Sequence, residues 1–268
     1  MKIQIKMLIR FSYLSQGGFA ASRNGVDAVR QMLYDPDRLS RRFAMFEALT
    51  LPSLIAQSSH DMQVGVLVGD SFPPAALDHL RQLLAPHDWA KVIQLPLMGQ
   101  YPAVKAAFDA LPTDTGATHI ATMRTDDDDA MHRDVVARTR QVAAHMLGFR
   151  PPESPFVIAF NRGLFAFLGG AGPRYADVSV RLPIGVGLSL VTPVGHPANV
   201  YRRNHRALPQ HFDCFTDVSQ PMYVRTVHQD NDSSEHDPDA GKTLRRPAAA
   251  TLLRDGFGLD PARLEALG

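Results

Sequence analysis

Apolar and polar positions loosely alternate over Ile3–Phe11, with β-branched residues early, which predicts a first strand ending at Arg10-Phe11-Ser12-Tyr13. Gln16-Gly17-Gly18 then opens a flexible stretch. From about Asp37 to Gln57, Leu39, Phe43, Phe46, Leu49 and Leu54 recur at three- to five-residue steps, the rhythm of an amphipathic helix that Pro52 should kink or split. Met62–Val68 is a continuous apolar run closed by Gly69-Asp70, as in a buried parallel strand. Helix Ala75–Leu84, strand Trp89–Leu95, helix Ala103–Leu111, strand Thr118–Met123 and helix Met131–Leu147 follow. Such alternation predicts a mostly parallel sheet flanked by helices.

Beyond residue 147 the rhythm changes. Phe156–Asn161, Leu164–Leu168, Val178–Leu182 and Ile184–Thr192 are short strand-like runs punctuated by Gly and Pro. Pro193–Pro209 reads as a loop with a helical turn or two, and Met222–Val227 as a strand ending at His228. Residues 231–243 form a polar, acidic loop, and Ala248–Asp255 and Pro261–Leu267 a closing helix pair. Without an internal repeat or obvious linker, the expectation is one α/β domain of two unlike halves, 1–147 and 148–268.

Composition narrows the function classes. At 268 residues with 45% hydrophobic and 21% charged, the chain can bury a sizeable core and is not disordered as a whole. Its net charge of +1 removes the electrostatic case for a dedicated nucleic-acid binder. The single cysteine, Cys214, excludes an internal disulfide and fits a reducing compartment. No run approaches the ~20 apolar residues that cross a bilayer, and Met7-Leu8-Ile9 is too short for an export signal. A cytoplasmic address is expected, with peripheral membrane contact open.

The acidic tetrad Asp126–Asp129, directly after a strand, is the most informative feature. Four adjacent carboxylates repel one another unless something positive sits among them. Asp oxygens suit Mg²⁺ or Mn²⁺, and Asp126 and Asp128 would share one face of an extended strand end. Carboxyl ends of parallel strands are also where open α/β sheets bind ligands. Capping of the next helix explains one or two of these acids, hardly all four.

Strand, Asp-x-Asp and helix, in Ile120–Ala130, resemble the metal-binding motif of GT-A-type glycosyltransferases. More narrowly, the chain is similar to a bacterial group of rhamnosyltransferases. The likeness rests on Arg10-Phe11-Ser12-Tyr13, Pro36-Asp37-Arg38, Arg42-Phe43, Leu51-Pro52-Ser53-Leu54 with Gln57, the acidic tetrad, Phe160-Asn161-Arg162-Gly163, Val224-Arg225-Thr226 and Asn231-Asp232-Ser233. It implies a GT-A-type domain with a nucleotide-sugar donor bound across the C-terminal strand edge and an acceptor, glycan or small molecule, on the second half. Asp70, after the second strand, would touch the nucleoside, with Ser12 and Asp127 also on the donor. Asp126 would meet the ribose, Asp126 and Asp128 the metal, and His228 would complete its shell.

The chemistry has its own logic. Breaking a sugar–phosphate bond leaves a diphosphate whose growing charge must be stabilised, by a cation or by bidentate arginines. Arg10, Arg124, Arg162 and Arg225 each sit beside an expected strand end. An acceptor hydroxyl needs a base, for which Asp232 and then Asp230 are the candidates, though both also suit turns. His196, His205 and His211 match no zinc spacing and read as loop or acceptor-side residues. Alternatives are a non-catalytic calcium- or partner-binding protein, or a sugar-phosphate nucleotidyltransferase. The latter should carry a glycine-rich basic loop after its first strand, and Arg10–Tyr13 is not one.

Overall fold

The computed structural model describes residues 1–16, 25–169, 172–228 and 241–267. Its first half holds β1 (Ile3–Arg10), α1 (Val26–Leu33), α2 (Pro36–Met45), a π-helical turn (Phe46–Thr50) and α3 (Leu51–Ile55). There follow β2 (Gln63–Gly69), α4 (Pro74–Leu84), β3 (Ala90–Leu95), α5 (Gln100–Asp109), β4 (His119–Asp126), β5 (Ala130–Met131) and α6 (Val135–Leu147). The second half adds β6 (Phe156–Phe160), β7 (Arg162–Phe167), β8 (Arg174–Ser179), β9 (Leu188–Pro193), a 3₁₀ helix (His205–Gln210) and β10 (Asp213–Asp217). It closes with β11 (Tyr223–Val227), β12 (Lys242–Thr243), α7 (Arg246–Phe257) and α8 (Pro261–Glu265).

Seven strands form one sheet in the order β10-β6-β9-β4-β1-β2-β3, and five form a second, β12-β8-β7-β11-β5. The four strands of the first half, β4-β1-β2-β3, run parallel, while β9 enters antiparallel to both β4 and β6. The expected architecture is therefore present: a parallel, helix-flanked first half, then short strands and loops.

Burial explains why β1 hardly alternates. Ile3, Ile5, Met7 and Ile9 enter the core beneath α2–α4 and α6, whereas Leu8 faces the apolar residues of α5. Lys6 is buried on that second face because Nζ donates to the carbonyl of Leu111 (2.7 Å) and to Thr113 Oγ1 (3.0 Å). The largest core draws on both halves, from Ile3 to Tyr223. Along β7 the sides separate: Phe165 joins that core, while Leu164 and Ala166 pack with Leu253 and Phe257 of α7.

Several elements depart from the sequence reading. Pro52 neither splits nor ends its helix. The wide turn 46–50 precedes it, with the Leu51 N–H donating to the Phe46 carbonyl, a register that accommodates a ring lacking a donor. The helix expected from Met131 starts at Val135, because Ala130 and Met131 pair with Val224 and Tyr223 of β11. The strand expected over Val178–Leu182 lies at Arg174–Ser179, and that over Ile184–Thr192 starts at Leu188. Gly187, at φ 68°, is left-handed, a backbone state that interrupts a strand. Helix α1 and strand β10 were not expected, and Lys242–Thr243 of the expected acidic loop is strand.

Candidate active site

A cleft of about 220 Å³ opens at the carboxyl ends of β1 and β4. Five arginines (Arg10, Arg38, Arg42, Arg124, Arg225) and the four tetrad aspartates line it, together with Ser12, Tyr13, Gly185 and His205. The parallel register creates the centre. Arg10 pairs with Asp126 and Leu8 with Arg124, so Arg10, Arg124 and Asp126 project from one face of adjacent strands. Both guanidiniums reach Asp126 Oδ1, each at 3.5 Å through Nη2. Partial burial works against ionisation of Asp126, but Arg124 and Arg10 outweigh it and hold the carboxyl below its ordinary range.

Both arginines also pack on the ring of Tyr201, with guanidinium carbons 4.6 Å (Arg124) and 5.5 Å (Arg10) from its centre. The ring is pinned because its hydroxyl donates to the Leu8 carbonyl at 3.1 Å. Gly185 closes the other approach to Arg124: a Cβ there would lie 2.9–3.1 Å from three guanidinium atoms. Arg124 is 8% exposed, and its buried Nε has no hydrogen-bond partner.

The rest of the tetrad is folded inward. Arg42, on α2, donates through Nε to Asp127 Oδ2 (3.1 Å) and through Nη1 to Asp128 Oδ2 (2.9 Å), and its Nη2 also binds Asp127 Oδ1. His228, at the end of β11, places Nε2 3.0 Å from the same Asp128 oxygen. Burial raises Asp128, yet Arg42 and His228 more than offset it, and its carboxyl titrates well below the usual range. Asp129 goes the other way. Burial, then the neighbouring Asp128, raise its carboxyl well above that range.

Two elements hold this turn in place. From the helical side, Thr50 Oγ1 donates to the Asp129 carbonyl (2.8 Å), Ser53 Oγ accepts from Met131 N (3.2 Å) and Gln57 Nε2 donates to the His132 carbonyl (2.9 Å). From the sheet side, Thr226 donates its N–H to Asp129 Oδ1 (3.0 Å) and its hydroxyl to the Asp128 carbonyl (2.8 Å). On the opposite wall Arg38 Nη1 donates to Ser12 Oγ at 3.0 Å, and Ser12 sits at φ 48°. Left-handed backbone at a serine costs on the order of 1–2 kcal/mol, and here it sits in the cleft wall.

Among the residues expected from sequence, Arg10, Ser12, Arg124, Asp126, Asp127, Asp128 and Arg225 line the cleft. His228 joins it through Asp128. Asp70 does follow β2 but is exposed and lies outside the lining. Arg162 is directed elsewhere, its Nε and Nη2 paired with Asp177 at 3.0 and 2.8 Å. Asp230 and Asp232 lie outside the described residues. Sequence reading missed Arg38, Arg42 and Tyr201, although Arg38 and Arg42 stood in the stretches that carried the resemblance. It read His205 as a loop or acceptor-side residue. Burial, then Arg124, pull His205 down to about 4, so it is a neutral imidazole at pH 7.

The donor set for a divalent ion is incomplete in this arrangement. Among the described residues, no three His, Cys, Asp or Glu side chains are grouped to hold an ion. Asp127 and Asp128 carry Arg42 where a metal would bind, and Asp128 carries His228 as well. The residues present do not fit a resident metal as they stand.

The family described as "Putative rhamnosyl transferase" matches residues 4–240, and the chain belongs to it. No curated protein matches the chain in sequence. Among solved structures, S. aureus TarS is similar at 11% identity and TM-score 0.44, over 85% of this chain and 37% of that one. TarS 1-349 in complex with UDP-GlcNAc is similar at 12% identity and TM-score 0.43, covering 100% of this chain and 70% of the other. Mouse xyloside xylosyltransferase 1 in its apo form reaches TM-score 0.28 at 12% identity, over 59% and 53% of the two chains. The chain thus spans little more than a third of that TarS chain.

Proposed function

We propose that the chain is a GT-A-type glycosyltransferase, one domain moving a sugar, rhamnose by family, from a nucleotide-sugar donor to an acceptor hydroxyl. The observation that carries this reading is the arginine-rich cleft at the carboxyl ends of β1 and β4, in a chain that belongs to a rhamnosyl transferase family. A nucleotide sugar presents a diphosphate, and planar guanidiniums match phosphate oxygens bidentately. As the sugar–phosphate bond breaks, charge develops on the departing diphosphate. Arg10, Arg124 and Arg225 are fixed donors that stabilise it, and their prior orientation spares reorganisation at that moment.

The nucleoside extends from the diphosphate toward Tyr13, Leu33 and Gln100 of the lining, with Asp70 beyond. Asp232, or Asp230, takes the acceptor proton. To His205, in the cleft wall, the proposal gives the task of orienting the acceptor. No helix of the described residues is long and apolar enough to cross a membrane, and the proposed setting is the cytoplasm. A calcium-binding role is disfavoured because Arg42 already engages two of the four carboxylates.

A hydrolysis screen over nucleotide sugars, each with EDTA, Mn²⁺ or Mg²⁺, tests the proposal. One donor should release its nucleoside diphosphate, and Arg124→Gln should slow that release. Failure to bind or turn over any nucleotide sugar would overturn it.

A further inference from the structure

We infer that the donor's diphosphate is held by the guanidiniums of Arg10, Arg124 and Arg225 without a divalent ion, with Arg42 occupying the carboxylates a metal would use. This rests on the glycosyltransferase reading above and specifies how its donor site is charged. Three independent observations converge. Arg42 compensates Asp127 and Asp128 from within the fold, so these acids do not wait for an external cation. The lining carries five arginines against four aspartates, so positively charged side chains outnumber negatively charged ones around the cleft. Finally, Arg124 keeps a buried Nε with no partner while its planar group is pinned between Tyr201 and Gly185. An unsatisfied buried donor of this kind has a cost that a phosphate oxygen would remove.

The arrangement also gives Asp126 a different task. It spreads its charge over Arg10 and Arg124 from a single oxygen at 3.5 Å, contacts long enough to be exchanged for shorter ones to phosphate. Asp126 then spaces two like charges and yields them to the ligand.

The test is calorimetric titration of the full chain with inorganic pyrophosphate and with UDP, in excess EDTA and again in excess Mn²⁺. Pyrophosphate should bind in EDTA, with an affinity within about threefold of that in Mn²⁺. Arg124→Gln, and separately Arg10→Gln, should each weaken it about tenfold or more, the loss of a charge-assisted bond. Arg138→Gln, whose guanidinium pairs with Asp217 outside the cleft, is the control and should bind as the parent does. If either cleft variant fails to fold, the comparison of EDTA with Mn²⁺ on the parent chain still decides.

Binding seen only with Mn²⁺, or no pyrophosphate binding in either condition, overturns the inference. Strictly Mn²⁺-dependent sugar transfer would do so too while leaving the glycosyltransferase reading intact. Tight binding in EDTA without turnover of any nucleotide sugar would instead support the arginine site and remove the proposed reaction.

Discussion

The guanidinium of Arg42 lies across the carboxylate of Asp127, with Nε donating to Oδ2 at 3.1 Å over a separation of 85 residues. Both side chains are almost fully buried, at 9% and 3% exposure. Arg42→Ala would strand Asp127 and Asp128 without their partner. Removing one member of a buried pair costs about 3–5 kcal/mol. Urea denaturation should show a loss of that size, with Arg42→Lys intermediate because an ammonium cannot match the fork. A loss below about 1 kcal/mol, the worth of a surface pair, would mean that the pair is not formed in solution.

Gly185 tests the placement of Arg124 without removing its charge. In Gly185→Ala the new methyl would meet the guanidinium at 2.9 Å and displace it from Tyr201. The expected result is weaker binding of pyrophosphate with a melting temperature close to that of the parent. Unchanged affinity would mean that Arg124 need not lie flat on that ring to bind phosphate.

Arg162→Gln separates architecture from chemistry in the Asn161-Arg162-Gly163 stretch. Arg162 pairs with Asp177, so its loss should leave pyrophosphate affinity within about threefold. Gly163→Ala should act on stability instead, because a Cβ there would fall 2.2 Å from the ring of Tyr223. Overpacking of this kind costs about 1–3 kcal/mol, readable in chemical denaturation. A tenfold loss of affinity in Arg162→Gln would return that arginine to the binding site.

His132 gives the fold a defined response to acid. Burial is the main cause of its lowered pKa. Arg133 lowers it further, and Asp134, with Oδ2 3.7 Å from Nδ1, only partly opposes them. Below the ordinary value of 6.5 the unfolded chain binds a proton that the folded chain refuses. The contribution of His132 is therefore fully present above pH 6.5 and falls as the pH drops toward the lower folded value. Melting temperatures at pH 7.5 and 5 should diverge less in His132→Gln than in the parent. Equal divergence would remove His132 from the acid response.

The sheet was legible where local rhythm decides. β1 to β4 were found because each is a short apolar run beside amphipathic helices, and the strand read as Thr118–Met123 extends to Asp126. Helix α1 was readable from Val26, Val29 and Leu33, and the glycines before it drew attention away. β5 was not readable, since two residues have no rhythm and their strand state depends on β11, some 93 residues on. The site divides likewise. Four acids in a row announce charge, but nothing local says what neutralises them. Arg42 comes from another element, and the same stretches that carried the resemblance, Leu51–Leu54 and Gln57, prove to hold the acidic turn from below.

Tyr201 carries two like-charged groups on one ring, and that crowding has a thermodynamic consequence. Repulsion between Arg10 and Arg124 is countered in the fold by the one Asp126 oxygen that both share at 3.5 Å, and an arriving anion would relieve it further. Small polyanions should therefore protect the protein from heat in proportion to their charge, pyrophosphate more than phosphate and phosphate more than chloride. The ordinary buffer in which the protein is kept would then act as a surrogate ligand, and the choice of that buffer would set how stable the molecule looks.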